Sequence, residues 1–262
     1  MPLPWRLVNT TDRLKAMLDV LNPHLSSSAN RLYISIQGTK DVPPATVALL
    51  LLHVAPTSDA SEVTYIIDIY TIGTKAFTTL GSDRRNSLKM ILQSPFHQIV
   101  GFDMRHDFTF LEANYGIKTA LALDIQLMEC LSRPANTIGG TDLVASDLPS
   151  CIAHLDAPLR VIWEEARAHN ASVPLWCRRH RWTTRPLALH PLNNAVQELR
   201  MLPRLLGLYR RRMSDKQFEN VLVATGEWVG SVSFQGGIGV VVQGGRSYHD
   251  QGEWLARFKV AR

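Results

Sequence analysis

The chain has 262 residues, a formal net charge of +5, and 45% hydrophobic against 19% charged residues. That balance fits a folded globular protein and excludes a disordered chain, which carries fewer apolar residues and more charge. No apolar run reaches the length of about 18 residues that a membrane span needs. The start "MPLPWRLVNTTDRL" has no cationic segment leading into an apolar one, so a signal peptide is not expected either.

In chain order, Leu14 to Asp19 within "DRLKAMLDVLNPHL" predicts a short amphipathic helix ending near Asn22 and Pro23. Three strands follow, "RLYISIQG", "ATVALLLLHVA" and "VTYIIDIYTIG", separated by the breakers "PPAT" and "PTSDASE". Within the first of these, Leu32, Ile34 and Ile36 face one side while Tyr33, Ser35 and Gln37 face the other. "SLKMILQSP" predicts a helix closed by Pro95, "HQIVGFDM" a strand, and "DFTFLEANYG" a helix with Gly116 as its C-cap. "IKTALALDIQLMECLSR" begins as a strand and ends as a helix. Residues 135–157 carry few periodic cues and read as loop with some irregular helix. "LRVIWEEARAH" and "LNNAVQELRMLPRLLGLYRRR" are helical. In the second, Val196, Leu199, Leu202 and Leu206 form an apolar stripe that Pro203 is expected to bend or split. The last fifty residues, rich in glycine and β-branched residues, read as a hairpin appendage or as a helix up to Gly226 followed by one hairpin.

Three strands and then alternating helix and strand indicate an α/β fold, a mixed sheet packed between helices. The length suits one large domain with a small appendage, residues 1–212 and 213–262, the latter Gly/Val-rich, β-rich and packed on the main domain. Cys130, Cys151 and Cys177 are too few and too scattered for a disulfide framework or a metal knuckle, which points to a reducing, intracellular compartment, cytoplasmic or nuclear. Between Leu159 and Lys216 twelve Lys or Arg face four Asp or Glu, so the rest of the chain is net negative. Such a segment suits a phosphate backbone, a solvated helix end or an acidic partner.

Several segments, in order, resemble one family, the 3′–5′ exonucleases of the ribonuclease D type, with their four acidic residues (the DEDD pattern) and a tyrosine. Their first strand has the form L-Y-[IV]-D-[IV]-E-G, and this chain reads "LYISIQG". A hairpin strand like "YLIDVHTLGKKAF" is matched by "YIIDIYTIGTKAF". The second motif corresponds to "IVGFDMRHDFTFL", with Asp107 in place, and is followed by "GIKTALALDIQLMECLSR". The third, R-P-L and then Y-A-x-x-D-V-x-Y-L-P-R-L, corresponds to "RPLALHPLNNAVQELRMLPRL". The resemblance spans roughly residues 32–210, is nearest to fungal and germline exonuclease-domain proteins, and implies a ribonuclease H-like mixed sheet flanked by helices.

Phosphodiester hydrolysis by that route uses two Mg²⁺ or Mn²⁺ ions, one to activate water and one to stabilise the departing 3′ oxygen. Carboxylates at i and i+2 of a strand point the same way and can bridge such ions. The resemblance places that pair at Ser35 and Gln37, which bring no charge. Asp107 matches the acid of the second motif, though an acid in a first helical turn is also common for its interaction with free N–H groups. Glu198 falls on the last acid, and Asn194 replaces the tyrosine that holds the attacking water; both could equally be helix-surface polar residues. His106 could bind a metal or be an ordinary hydrogen-bonded residue. Asp68 and Asp124 also match the pattern but are expected on strands away from the ion pair.

The expectation is therefore a pseudonuclease with no cofactor. Its degenerate catalytic positions are Ser35, Gln37, Asp107, Asn194 and Glu198, with Asp107 and Glu198 as a vestigial metal site; Mg²⁺ or Mn²⁺ matters only if activity remains. What survives is expected to be nucleic-acid binding, with RNA favoured by family likeness, through Arg105, Arg178, Arg179, Arg181, Arg210, Arg211 and Arg212. Trp176, Trp182 and Tyr209 are candidates to stack bases or to fill the core. The alternatives are a protein-interaction scaffold or homodimerisation module, and a surviving metal-dependent exonuclease.

Overall fold

The computed structural model describes residues 5–25, 31–39, 46–55, 62–133, 145–171, 182–230, 232–234 and 240–242. Its strands are β1 (Trp5–Val8), β2 (Arg31–Thr39), β3 (Thr46–Val54), β4 (Val63–Asp68), β5 (Gln98–Gly101) and β6 (Ala122–Asp124). They form one sheet in the order β1-β4-β3-β2-β5-β6. β3 runs antiparallel to both of its neighbours, and the remaining pairs are parallel. The mixed α/β sheet expected from the order of elements is present.

Helices cover both faces. On one side lie α1 (Thr11–Leu25), α2 (Ile69–Ile72), α3 (Lys75–Thr78), α4 (Leu88–Gln93) and α5 (Met104–Tyr115). Their Leu14, Phe77, Ile91 and Phe108 share a core with Leu32, Ile34 and Ile36 of β2. On the other side lie α6 (Ile125–Ser132), α7 (Leu148–Ile152), α8 (Ala157–Ala171), α9 (Leu189–Arg211) and α10 (Asp215–Gly230). There Tyr33 packs into a core with Cys130, Trp163, Leu199 and Ala224. The alternation read in "LYISIQG" therefore divides β2 between two cores. β3, central and covered on both faces, is buried from Val47 to Val54, as a run that is apolar but for His53 requires.

The structure departs from the sequence reading at several places. β1 was not anticipated; its four residues are too short a run to mark a strand by themselves, and parallel pairing with β4 makes them one. "YIIDIYTIG" does not stay extended. Asp68 accepts the Thr71 N–H at 3.0 Å and caps the single turn α2, which ends at Gly73 with φ +68°. α1 continues through Pro23 to Leu25, because a proline in the last turn forfeits one carbonyl partner near an end where partners are already missing. α9 is one continuous helix across Pro203; Val196, Leu199, Leu202 and Leu206 are all buried, and their packing outweighs the lost hydrogen bond.

Of the two readings of the last fifty residues, the helical one holds, although the helix passes Gly226 and reaches Gly230. α10 packs against α5, α6 and β6. The short antiparallel pair β7 (Val232–Phe234) and β8 (Val240–Val242) follows, with β7 against α5.

Candidate functional site

The site originates in a divergence of strands. β5 pairs with β2 only from Arg31 to Tyr33, and the chain leaves the sheet after Gly101. From Ile34 onward no strand among the described residues pairs with β2 on that side. Phe102 and Asp103 make the exit, and Asp103 adopts the left-handed conformation (φ 49°) that Asp tolerates better than most residues. Arg105 Nε donates to Asp103 Oδ1 at 2.9 Å. Asp124, at the end of β6, fixes the turn from below. Its carboxylate accepts the N–H groups of Asp103 (3.2 Å), Met104 (2.9 Å) and Gln126 (2.8 Å), tying the starts of α5 and α6 together. Complete burial pushes the Asp124 carboxyl up to about 6, against these backbone donors, which pull it down.

The gap is a cleft of about 220 Å³ with Ser35, Gln37, Asp103, His106, Asp107 and Glu198 as its polar lining and Phe102, Leu148, Leu199 and Leu202 among its apolar walls. Ser35 and Gln37 share the β2 face that looks toward α9, and Gln37 Nε2 donates to Ser35 Oγ at 3.0 Å. Asp107 reaches across from α5, and its Oδ2 accepts the Ile36 N–H at 3.0 Å. It thus supplies the partner that β5 would have given had it continued. Glu198 faces the cleft from α9, with Oε1 accepting from Asn194 Nδ2 at 2.8 Å. Asn194 itself is buried behind Glu198 and does not line the cleft. Among the described residues, no three His, Cys, Asp or Glu side chains come together as a group that could hold a metal ion.

Of the five positions that the sequence resemblance singled out, four thus meet in one cleft, and the fifth, Asn194, braces Glu198. The basic residues are dispersed. Arg105 stands at the rim through Asp103. Arg178, Arg179 and Arg181, with Trp176, lie outside the described residues. Arg210, Arg211 and Arg212 end α9, twelve residues beyond Glu198 and so about 18 Å along the helix axis. Arg210 pairs with Asp215 and lies 4.9 Å over the Phe218 ring, and Arg212 lies 5.8 Å over Tyr209. Trp182 and Tyr209 are core residues, 5% and 0% exposed, with no face to offer a base.

Asp68 is outside the cleft, two strands away in the register Gln37–Leu49–Asp68, with both carboxylate oxygens on Arg185. Sequence reasoning missed Asp103 as a lining residue and Asp124 as the brace of the turn. The signal for the first was present in "GFDMRHD", where Asp103 stands one helical turn before Asp107. For the second, only the capping of the Gln126 N–H is local; the bracing role rests on the N–H groups of Asp103 and Met104, some twenty residues earlier.

No known family profile matches the chain, and no curated protein matches it in sequence. Solved structures do. Trypanosoma brucei RNase D superposes with a TM-score of 0.66 at 19% identity, covering 98% of this chain and 82% of its own. The Trypanosoma brucei RNase D complex with RNA U12 gives 0.63 at 17% identity, covering 98% and 79%. A mutant of the catalytic core of RRP6 from Trypanosoma brucei gives 0.50 at 13% identity, covering 87% of this chain and 50% of its own. At these identities the likeness establishes the fold: a ribonuclease H-like mixed sheet flanked by helices, as found in 3′–5′ exonucleases.

Proposed function

We propose that this chain is a 3′–5′ exonuclease-like domain that has given up hydrolysis and retains nucleic-acid binding, with RNA the favoured ligand. The observation that carries the proposal is the hydrogen bond from Gln37 to Ser35. In the exonucleases that the sequence resembles, an Asp and a Glu stand at these positions and bridge two divalent cations. Here a hydroxyl and a primary amide hydrogen-bond each other, and neither supplies the anionic oxygen that hard cations require. Asp107 has one oxygen committed to the Ile36 N–H, and Glu198 has one committed to Asn194. Such donors do not fit a pair of Mg²⁺ or Mn²⁺ ions, and metal positioning tolerates little error.

Binding is the part of the activity that does not need those charges. The cleft stays open on its backbone frame, the 159–216 segment is cationic, and the same architecture in Trypanosoma brucei RNase D forms a complex with RNA U12. The test uses purified protein and 5′-labelled single-stranded RNA in Mg²⁺ or Mn²⁺. The expected result is retention of the RNA, falling steeply with added salt, and no shortening of the label. Laddering abolished by Glu198→Gln would overturn the loss of hydrolysis. RNA that is neither bound nor shortened would overturn the retained binding and leave the scaffold role.

A further inference from the structure

Of the aromatic residues expected to stack bases, Trp182 and Tyr209 are buried, yet Tyr70 is exposed at the end of the sheet where the cleft opens. We propose that Tyr70, backed by Arg185, is a stacking platform for one nucleobase of a single-stranded nucleic acid, an inference that rests on the binding reading above.

Position comes first. Gln37 pairs with Leu49, which pairs with Asp68, so Asp68 stands two strands, about 10 Å, from Gln37 in the same row of the sheet. Directly paired residues present their side chains to one face, so Asp68 points to the face that carries Ser35 and Gln37. Tyr70 follows two residues later on α2, whose start Asp68 caps. Asp68 and the Arg185 bound to it therefore stand on the cleft's face of the sheet, and the platform lies at the cleft's end of the strands.

Preorganisation comes next. Arg185 gives Nε and one terminal nitrogen to the two oxygens of Asp68 and the other terminal nitrogen to the carbonyls of Trp182 (2.8 Å) and Thr184 (3.0 Å). Four hydrogen bonds fix the guanidinium plane, and its carbon lies 5.3 Å from the centroid of the Tyr70 ring. Tyr70 remains 56% exposed. Asp68 cancels the charge of Arg185, so the pair is a poor anchor for a phosphate; what it offers is an aromatic face held in place in advance. Stacking on such a face is tolerant of base identity because every base has a π-face. Phe96, still more exposed at 78%, precedes β5 and so lies toward the opposite end of the strands.

The test compares wild type, Tyr70→Phe and Tyr70→Ala on a single-stranded RNA 12-mer and on an abasic phosphodiester of the same length. Tyr70→Ala is expected to weaken binding of the RNA roughly five- to a hundredfold, the range for loss of one stacked base. Tyr70→Phe, which keeps the ring, stays within about twofold of wild type by the same reasoning. Binding of the abasic strand and the salt slope should not change, and neither should the melting temperature, since Tyr70 is a surface residue. If wild type binds RNA and Tyr70→Ala binds it equally well, the platform is overturned while the binding role stands. If wild type binds neither strand, both fall. An equal loss on the RNA and the abasic strand would also overturn the platform, because it would locate the contact on the backbone.

Discussion

Replacing Asp107 with alanine distinguishes two roles for the same carboxylate. As described above, Oδ2 accepts the Ile36 N–H at 3.0 Å, and the residue is 7% exposed. Removing it leaves a buried backbone donor without that acceptor, at a cost of about 1–3 kcal/mol, and the bond is charge-assisted, which favours the upper half of the range. Some of this is returned, because a carboxylate no longer has to be held away from water beside Glu198. A net loss of about 2 kcal/mol corresponds to a fall of about 4–8 °C in melting temperature for a chain of this size. Asp107→Asn keeps an oxygen in place and should lose less than half as much. Thermal unfolding of the two variants beside wild type is the assay. A carboxylate kept for binding a ligand usually destabilises the apo protein, so its removal stabilises. A rise in melting temperature for Asp107→Ala would therefore refute the view that Asp107 now serves as the missing partner of the β2 edge.

Three further outcomes can be checked on the same preparations. Arg185→Met leaves the Asp68 carboxylate, whose side chain is 2% exposed, with its Thr71 donors but without that counter-charge, and should cost about 3 kcal/mol in urea unfolding, with partial recovery in the Arg185→Met, Asp68→Asn double variant; a silent single variant would show that the pair contributes nothing. Gly38→Ala puts a Cβ 1.8 Å from the carbonyl oxygen of Thr46, so β2 and β3 cannot keep their register, and a loss above about 3 kcal/mol or failure to fold is expected, with normal expression and melting as the contrary result. His53, buried and 2.9 Å from Thr64 Oγ1, is held down to about 4 chiefly by burial, so it contributes stability above its ordinary value of 6.5 that is lost as pH falls toward 4; the raised Asp124 carboxyl contributes the opposite slope, stability present below about 4 and lost as pH rises through 6. His53→Gln should therefore leave a protein whose stability falls from pH 4 to pH 6, by about 2–3 kcal/mol for a shift of the size seen at Asp124, and an unchanged pH profile would contradict that balance.

Where one strand or helix is defined by its own side chains, the sequence was sufficient. The period-two pattern of "LYISIQG" predicted which residues of β2 face which core, and Gly116, with φ +59°, ends α5 as its C-cap position requires. The stripe on α9 was equally plain, and the convergence of Ser35, Gln37, Asp107 and Glu198 was legible because they sit in segments that resemble one family. What could not be read was set by partners distant in sequence. β1 exists because β4 lies beside it, and the hydroxyl that receives the Asp124 N–H comes from Thr225, a hundred and one residues later. Pro203 does not split α9, because the stripe is buried on both sides of it. The strand continuing past Asp68 was misread because a run of Ile, Tyr and Thr is good strand composition, and only the cap from Asp68 to Thr71 reveals the turn. The aromatic residues in the basic stretch advertised stacking, but burial is a tertiary property and removed Trp182 and Tyr209 from contention.

The early parting of β5 from β2 gives the cleft an unusual independence from its contents. Its walls are a strand edge, a left-handed turn and a helix packed by leucines, and the side chains that pin the edge and the turn are Asp107 and Asp124, not Ser35 or Gln37. The two residues behave as interchangeable fittings in a permanent socket. An engineer could vary both at will, toward carboxylates, amides or small apolar groups, and screen the library for new ligands without first having to repair the frame.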